Sequence, residues 1–178
     1  MREAGSDGGR GRQAVVALGS NLAQPAAQLR RAAVAIAALA QSARWSSLYL
    51  TTPVGGPAGQ PDYLNAVAVL RPLPALAEPR ALLDALLAVE REQGRRRAER
   101  WGPRTLDLDL LDVDGRILEE PGLVLPHPRM MSRGFVLGPL CEVLPGWRHP
   151  LTGESACAAL ARVGAAGVHR TRLDWRPR

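Results

Sequence analysis

Hydrophobic and polar residues follow two different periods along the chain, and each period predicts a different kind of element. Four stretches carry the short apolar or alternating pattern of β-strands, namely 14–18, 44–50, 63–70 and 105–110. Residues 25–40 and 79–94 have apolar positions three or four apart behind a proline near the start, which indicates amphipathic helices. The order β, α, β, β, α, β predicts an α+β fold, a ferredoxin-like sandwich with a mostly antiparallel sheet and helices packed on one face.

Turn signals divide the rest of the chain into shorter elements. Gly19-Ser20-Asn21 ends the first strand in a turn that can cap the helix after it. Asp114-Gly115 is a strong hairpin signal, so residues 116–118 should return as the partner of the preceding strand. We further expect a helix broken at Pro139 and a last helix over 154–163.

The composition is that of a globular protein. Of the 178 residues, 46% are hydrophobic and 22% are charged, which suits a single domain over residues 13–178. Residues 1–12 are poor in apolar side chains and predict a disordered leader. The longest apolar run, 32–40, is too short to cross a bilayer, and the spacing of Cys141 and Cys157 predicts free thiols in a reducing compartment. We therefore expect a cytoplasmic protein with no membrane partner.

The positive charge of the chain comes from arginine alone. All 23 basic residues are arginine, and the formal net charge is +6. Such an excess favours a polyanionic partner, either a nucleotide or a nucleic acid. Because lysine is absent, a Walker-type phosphate loop and a Schiff-base lysine are both excluded. Any phosphate binding must rely on arginine, backbone amides and metal ions.

The alternation around Asp107 and Asp109 places both carboxylates on the same face of a strand. Their α-carbons should lie roughly 6.6 Å apart at about 3.3 Å per residue. Carboxylates this close can hold divalent cations, as in two-metal sites that act on phosphate. The alternative interpretation is a solvent-facing strand with an acidic stripe.

An arginine-rich segment lies directly upstream of these acids. Its members are Arg95, Arg96, Arg97, Arg100 and Arg104. Guanidinium groups beside paired carboxylates suit a metal-bound polyphosphate, because the acids hold the cations and the arginines bind the remaining anionic oxygens. The segment could equally be a solvated basic loop that neutralises the acids directly.

Several motifs together resemble the 6-hydroxymethyl-7,8-dihydropterin pyrophosphokinase family of folate biosynthesis. They are residues 17–22 (ALGSNL), 60–66 (QPDYLNA), 99–109 (ERWGPRTLDLD), 126–128 (PHP) and 133–135 (RGF). The motifs stand in the family's order, and the segment around Trp-Gly-Pro-Arg is by far the most specific of them. The resemblance implies that the chain transfers pyrophosphate from ATP to the hydroxymethyl group of the reduced pterin and releases AMP.

The resemblance also implies a role for individual residues. Two Mg²⁺ ions would be bound by Asp107 and Asp109, which with Arg95 and Arg104 form the catalytic set. The implied ATP contacts are Glu90, Arg95, Arg97, Trp101, Arg104, His127 and Arg133. The implied pterin contacts are Thr51, Val54, Tyr63, Asn65, Trp101 and Phe135, of which Tyr63 and Phe135 would sandwich the ring while Asn65 reads its polar edge. Leu87 and Pro128 depart from the family's pattern near the nucleotide.

Two other functions are compatible with parts of the sequence. A two-metal nucleotidyltransferase also uses acids on a strand, but its Gly-Ser and Asp-x-Asp motifs lie close together, whereas Ser20 and Asp107 are far apart. An arginine-rich RNA-binding module would stack bases on aromatic strand residues, and this chain is only 4% aromatic. We therefore expect ATP and the pterin as partners, no nucleic acid, and a monomer.

Overall fold

The structure is a computed structural model that describes residues 12–53, 59–94 and 104–177. Its strands are β1 (Ala14–Ser20), β2 (Ala40–Trp45), β3 (Tyr49–Thr51), β4 (Tyr63–Pro72), β5 (Asp107–Val113), β6 (Leu118–Glu120), β7 (Leu123–Leu125) and β8 (Val168–Arg170). Its α-helices are α1 (Pro25–Ala37), α2 (Pro79–Glu92), α3 (Gly134–Val143) and α4 (Ala156–Val163). Apart from Arg12, the predicted leader lies outside the described residues.

The main sheet has the strand order β5-β1-β4-β3-β8, and β2 pairs with the other end of β4. Every pairing in it is antiparallel. The α+β fold with a mostly antiparallel sheet is therefore confirmed. The predicted strand over 44–50 is divided into β2 and β3, because Val67 N donates at 3.0 Å to the side-chain Oγ of Ser46 at the break between them.

Helices cover both faces of the sheet, so the expectation of one covered face is wrong. Helices α1 and α2 pack on the face that carries Leu18 and Leu70. Helices α3 and α4 pack on the opposite face, which carries Val15 and Val67. Because β1 and β4 are apolar on both faces, each face needs a covering layer to remove those side chains from water.

The turn at Asp114-Gly115 forms, but its predicted pairing is wrong. Gln13 N donates to Asp114 Oδ1 at 2.6 Å and Asp114 N donates to Gln13 O at 2.8 Å, so the turn is bound to the start of β1. Strand β6 instead pairs with β7 in a separate two-stranded sheet. The backbone at His127 lies beside β5, where His127 N donates to Leu111 O at 2.8 Å.

Two further expectations about the second helical layer are wrong. Helix α3 continues through Pro139 without a break. Cys141 and Cys157 form a disulfide, since the packing of α3 against α4 brings their α-carbons to 5.2 Å, a separation typical of bridged cysteines.

Across the described part of the chain, each helix falls short of the length and apolar character needed to span a membrane.

Buried Asp112 gives the fold a testable dependence on pH. The residue is 2% exposed and Oδ1 has no hydrogen-bond partner among the described residues, whereas Oδ2 accepts from Gly115 N at 3.2 Å. Burial raises the pKa of the Asp112 carboxyl, so the native state binds this proton more tightly than the unfolded state. Stability should therefore fall as pH rises from the ordinary pKa of 3.8 through the raised native value.

Asp112→Asn should remove this pH dependence, because the amide stays neutral while its oxygen can still accept from Gly115 N. The unfolding free energy of the variant should gain on that of wild type as pH rises from 3.8 through the raised native pKa of Asp112. Urea unfolding across that range measures the difference. The exposed Asp84 on α2 supplies the control, since Asp84→Asn should follow wild type. Parallel curves for wild type and Asp112→Asn would contradict the prediction.

Candidate active site

Strand β5 presents both predicted acids on the face of the sheet that α3 and α4 partly cover. The alternating leucines at 106, 108 and 110 point the other way, with Leu106, Leu108 and Leu110 at 0%, 3% and 4% exposure in the core beneath α1 and α2. The side chains of Asp107 and Asp109 keep 25% and 36% of their accessible surface. The predicted alternation is therefore confirmed, and the apolar anchors on one face fix where the carboxylates point on the other.

The turn after β1 positions Arg104. Arg104 N donates to Asn21 Oδ1 at 2.8 Å, and Asn21 N donates to Arg104 O at 3.1 Å. Ser20 Oγ donates to Thr105 O at 2.6 Å. The expectation that this turn caps the following helix is wrong, since the residue before α1 is Gln24, which makes no side-chain cap. The polar side chains of the turn instead anchor the backbone that leads into β5.

Each acid has a cationic neighbour. Arg104 Nη1 lies 2.6 Å from Asp107 Oδ2, and Arg133 Nη1 lies 3.5 Å from Asp109 Oδ2. Nε2 of His127 lies 4.0 Å from the same Asp109 oxygen. Opposite charges are thus already matched across this part of the site, which lowers the cost of holding two carboxylates close together.

His127 is held in one orientation and kept neutral. Its Nδ1 accepts from Arg129 N at 3.2 Å, so the ring proton of the neutral form resides on Nε2, the nitrogen nearest Asp109. Burial, together with the charges of Arg133 and Arg129, lowers the pKa of His127, although Asp109 opposes this effect. At neutral pH the ring therefore offers one N–H donor toward the acids.

A single cleft joins these charged groups to a neutral region on the neighbouring strands. Its charged side is lined by Arg104, Asp107, Asp109, Arg129 and Arg133. Its neutral side is lined by Thr51, Thr52, Pro53, Gln60, Tyr63, Asn65 and Phe135. Because the strand order runs β5-β1-β4-β3, the two sides are separated by β1, whose Ala17 and Gly19 form the floor between them.

Asn65 is fixed at the neutral side of the cleft. It is 7% exposed, and its Nδ2 donates to Thr51 Oγ1 at 2.6 Å. On the adjacent strand, a Cβ added to Gly19 would lie only 2.8 Å from Asn65 Oδ1. Glycine at position 19 therefore leaves the space in which this amide sits, a role that the motif alone did not reveal.

The two aromatic residues predicted to bind a flat ring both line the cleft. Tyr63 OH lies 3.5 Å from Gln60 Oε1, and burial raises the pKa of Tyr63, so the phenol stays protonated. Phe135 stands in the first turn of α3, with the guanidinium carbon of Arg133 5.4 Å from its ring centroid. Such a cation above an aromatic face stabilises both side chains.

Several residues predicted to bind the substrates lie outside the described residues, namely Val54, Arg95, Arg96, Arg97 and Trp101.

Glu90 is 2% exposed, and its Oε1 accepts from Leu108 N at 2.7 Å. This places the Glu90 carboxylate against the backbone of β5 rather than in the cleft lining, and its contact with ATP stays a prediction.

Arg129 is the main cleft residue that sequence reasoning missed. It stands two positions after His127, directly behind the Pro126-His127-Pro128 corner. Its position next to a rigid corner that already carried one predicted contact was the available signal. Thr52 and Pro53 were also missed, although they follow the predicted Thr51 directly.

The two acids fit a cation that arrives with its substrate. The described residues contain no group of three or more His, Cys, Asp or Glu side chains arranged to hold a metal. Mg²⁺ does not require such a cage, since it commonly binds one or two carboxylates and completes its coordination with substrate phosphates and water. Asp107 and Asp109 supply that partial set of oxygen ligands.

Comparison with known proteins identifies related sequences. The family model for 7,8-dihydro-6-hydroxymethylpterin-pyrophosphokinase (HPPK) matches residues 15–145. A Synechocystis sp. protein named 2-amino-4-hydroxy-6-hydroxymethyldihydropteridine pyrophosphokinase is 41% identical over 157 residues, which cover 87% of this chain and 78% of that protein. A Pseudomonas aeruginosa protein of the same name is 45% identical over 157 residues, covering 87% and 94% of the two chains.

Solved structures share the fold at much lower identity. A crystal structure of a Plasmodium falciparum HPPK-DHPS triple mutant with pteroate matches 96% of this chain with a TM-score of 0.71 and 13% identity. This chain covers 49% of that structure, so it spans about half the length of the solved protein. At this identity the match supports the fold alone.

Proposed function

The chain belongs to the 7,8-dihydro-6-hydroxymethylpterin-pyrophosphokinase family, and from this premise we propose that it transfers pyrophosphate from ATP to 6-hydroxymethyl-7,8-dihydropterin. The hydroxymethyl oxygen attacks the β-phosphorus, AMP leaves, and the products are the pterin diphosphate and AMP in folate biosynthesis. The family predicted from the sequence motifs is confirmed. The observation that carries the proposal is the cleft that places paired acids and arginines beside a neutral, aromatic region.

The charged side of the cleft is proposed to bind Mg²⁺-ATP. Asp107 and Asp109 would hold two Mg²⁺ ions, which when bound neutralise phosphate charge and favour in-line displacement. Arg104 and Arg133 each face one of the acids, so both guanidinium groups are already directed toward the position of the triphosphate. Arg129 adds a third cation to the same wall. Forked guanidinium donors suit the anionic oxygens of the pyrophosphate group.

His127 is proposed to donate a hydrogen bond rather than to remove a proton. Its Nδ1 is occupied by Arg129 N, and only Nε2–H is directed toward the acids. A neutral imidazole with this tautomer can contact a phosphate oxygen without adding a full charge. His127 would thereby help to orient the nucleotide.

The neutral side of the cleft is proposed to bind the pterin. Tyr63 and Phe135 offer the aromatic faces on which a flat heterocycle stacks. Asn65 and Thr51 offer an amide and a hydroxyl for its polar edge, and their mutual hydrogen bond fixes both before ligand arrives. Preorganised polar groups cost less to order on binding.

Other parts of the proposal rest on the family resemblance. Glu90, Arg95, Arg97 and Trp101 are proposed to contact ATP, with Arg95 also acting in catalysis. Val54 and Trp101 are proposed to contact the pterin. Closure of arginines over the triphosphate would exclude water, which otherwise competes as a nucleophile.

The cellular setting follows from the proposed substrates. We propose that the protein acts in the cytoplasm, where ATP is available. We also propose that it is a monomer without a nucleic-acid or membrane partner. Neither the nucleotidyltransferase nor the RNA-binding module predicted as an alternative is supported by the comparisons.

An assay of product formation tests the proposed function. The chain is incubated with ATP, Mg²⁺ and the hydroxymethyl pterin, and the nucleotide products are separated. AMP should form in amounts equal to the pterin diphosphate and only when all three components are present. Formation of ADP, release of free pyrophosphate, or AMP formation without the pterin would contradict the proposal.

Tyr63→Ala should weaken pterin binding about tenfold while leaving ATP binding nearly unchanged, because the stacked ring loses one aromatic face. Calorimetric titration with the pterin and, separately, with a non-hydrolysable Mg²⁺-ATP analogue measures both affinities. Tyr63→Phe keeps the ring and should bind the pterin within about threefold of wild type. Equal losses for the two ligands would indicate that Tyr63 only supports the core.

A further inference from the structure

Strand β8 supports the neutral side of the cleft from behind, by pairing with β3, and lies outside the family match, which covers residues 15–145. It pairs with β3 so that Val168 stands opposite Thr51. The pairing is extended at both ends, where Thr52 N donates to Gly167 O at 3.3 Å and Thr171 N donates to Leu48 O at 2.8 Å. The backbone that carries Thr51 into the cleft is therefore held by the C-terminal part of the chain.

The side chain of Val168 also contacts α3, which carries Phe135. A Cβ added to Gly138 would lie 3.5 Å from Val168 Cγ1, and one added to Gly134 would lie 3.5 Å from Val168 Cγ2. Both methyl groups thus pack against the glycine-bearing face of the helix. Tyr49 of β3 lies beside the same part of the helix, since its Cε1 would be 3.5 Å from a Cβ added to Gly138.

A polar contact joins the same three elements at the far end of α3. Glu142 Oε2 accepts from Tyr49 OH at 2.9 Å, and Glu142 Oε1 accepts from Arg170 Nη2 at 3.0 Å. Glu142 also accepts from Ser47 N and Ser47 Oγ. Burial and the hydrogen bond to Glu142 raise the pKa of Tyr49 to about 12, so the phenol remains a donor.

We propose that Val168 is a positioning residue for the pterin, because it fixes the distance between β3, with Thr51, and the first turn of α3, with Phe135. The inference rests on the proposed function and deepens it. Because Thr51 pairs directly with Tyr63 across β3 and β4, this distance also sets the gap between the rings of Tyr63 and Phe135. A flat ring fits only a gap of defined width, so the packing of Val168 affects the affinity for the pterin.

ATP is proposed to bind at the other side of the cleft, mainly on β5. Its proposed contact Arg133 adjoins Gly134 but also faces Asp109 at 3.5 Å, so nucleotide affinity should change far less than pterin affinity.

Val168→Ala tests the proposal by removing both γ-methyl groups from the contact with α3. The affinity for the pterin should fall about tenfold, as expected when a binding group is displaced by a fraction of an ångström, while the affinity for a non-hydrolysable Mg²⁺-ATP analogue stays within about twofold. Val168→Ile, which keeps both γ-carbons, should retain wild-type affinity for the pterin. Val163→Ala is the matched control, because Val163 is 38% exposed at the end of α4.

Amide hydrogen exchange gives a readout that needs no ligand. Thr52 N–H, which is bonded to Gly167 O, should exchange faster in Val168→Ala than in wild type and at the wild-type rate in Val163→Ala. If Val168→Ala fails to fold, Gly134→Ala replaces it, because its Cβ would lie 3.0 Å from Gly164 O, a close contact that requires a shift of a few tenths of an ångström between α3 and the C-terminal segment. Gly138→Ala, whose Cβ would make ordinary contacts from 3.5 Å, is then the matched control.

Unchanged pterin affinity in a folded Val168→Ala, or equal losses for pterin and nucleotide, would overturn the inference while wild type remains active. Failure of the proposed function would show itself differently, as a wild-type chain that neither binds the pterin nor forms AMP, and would overturn both. A selective loss of pterin affinity in Val168→Ala, with wild-type affinity in Val168→Ile, would support the positioning role.

Discussion

Replacing Asp107 or Asp109 with asparagine should lower kcat about a thousandfold or more while leaving the fold intact. Each change removes one of the two carboxylates that β5 presents to the cleft, and asparagine binds Mg²⁺ far less well than a carboxylate does. Loss of charge stabilisation at a reacting phosphoryl group typically costs several kcal/mol of the activation barrier. Stability should change little, because both side chains are partly exposed and such ion pairs contribute about 1 kcal/mol or less.

Asp84→Asn controls for loss of one negative charge, since Asp84 is exposed on α2 rather than in the cleft. This variant should retain wild-type kcat. Calorimetry with an ATP analogue at increasing Mg²⁺ separates a metal role from a purely structural one: both β5 variants should lose most of the enhancement that Mg²⁺ gives in wild type. Full turnover in Asp107→Asn and Asp109→Asn would refute the assignment of these acids to the metal.

Local patterns predicted the elements that form the site, because period and turn chemistry act over a few residues. The alternation from Leu106 to Leu110 placed both acids on one face, as the structure confirms. The division of residues 44–50 into two strands was not predictable in this way. It depends on Ser46 Oγ accepting from Val67 N, a contact between residues distant in sequence.

The features of the fold and of the site that sequence patterns missed share this long-range origin. The turn at Asn21 is a plausible helix cap by sequence, yet its side chain accepts from Arg104 N across the fold. Helices α3 and α4 are adjacent only in the folded chain, so the spacing of Cys141 and Cys157 in the sequence wrongly predicted free thiols where the structure has a disulfide. Strand β8 has too few apolar residues to be recognised by its own pattern and forms because β3 offers it an edge.

Removing the side chain of Arg104 should have the second-largest effect on catalysis. Arg104→Ala should lower kcat/KM about a hundredfold, since a guanidinium that binds the developing phosphate charge is worth roughly 3 kcal/mol in the transition state. Arg104→Lys should recover only part of this loss, because an ammonium group lacks the planar fork that binds two oxygens at once. The main-chain N and O of residue 104 are hydrogen-bonded to Asn21. Neither variant should therefore change the backbone that leads into β5.

Arg80→Ala provides the matched control, because Arg80 pairs with Glu120 on the surface at 3.3 Å and lies outside the cleft. Its kcat/KM should equal that of wild type. The double variant Arg104→Ala with Asp107→Asn distinguishes a phosphate contact from simple neutralisation of the acid. If the two residues form only a structural ion pair and neither binds ligand, then removing both charges should restore the turnover lost in the single arginine variant. If Arg104 binds the triphosphate while Asp107 binds the metal, the double variant should be no more active than either single one.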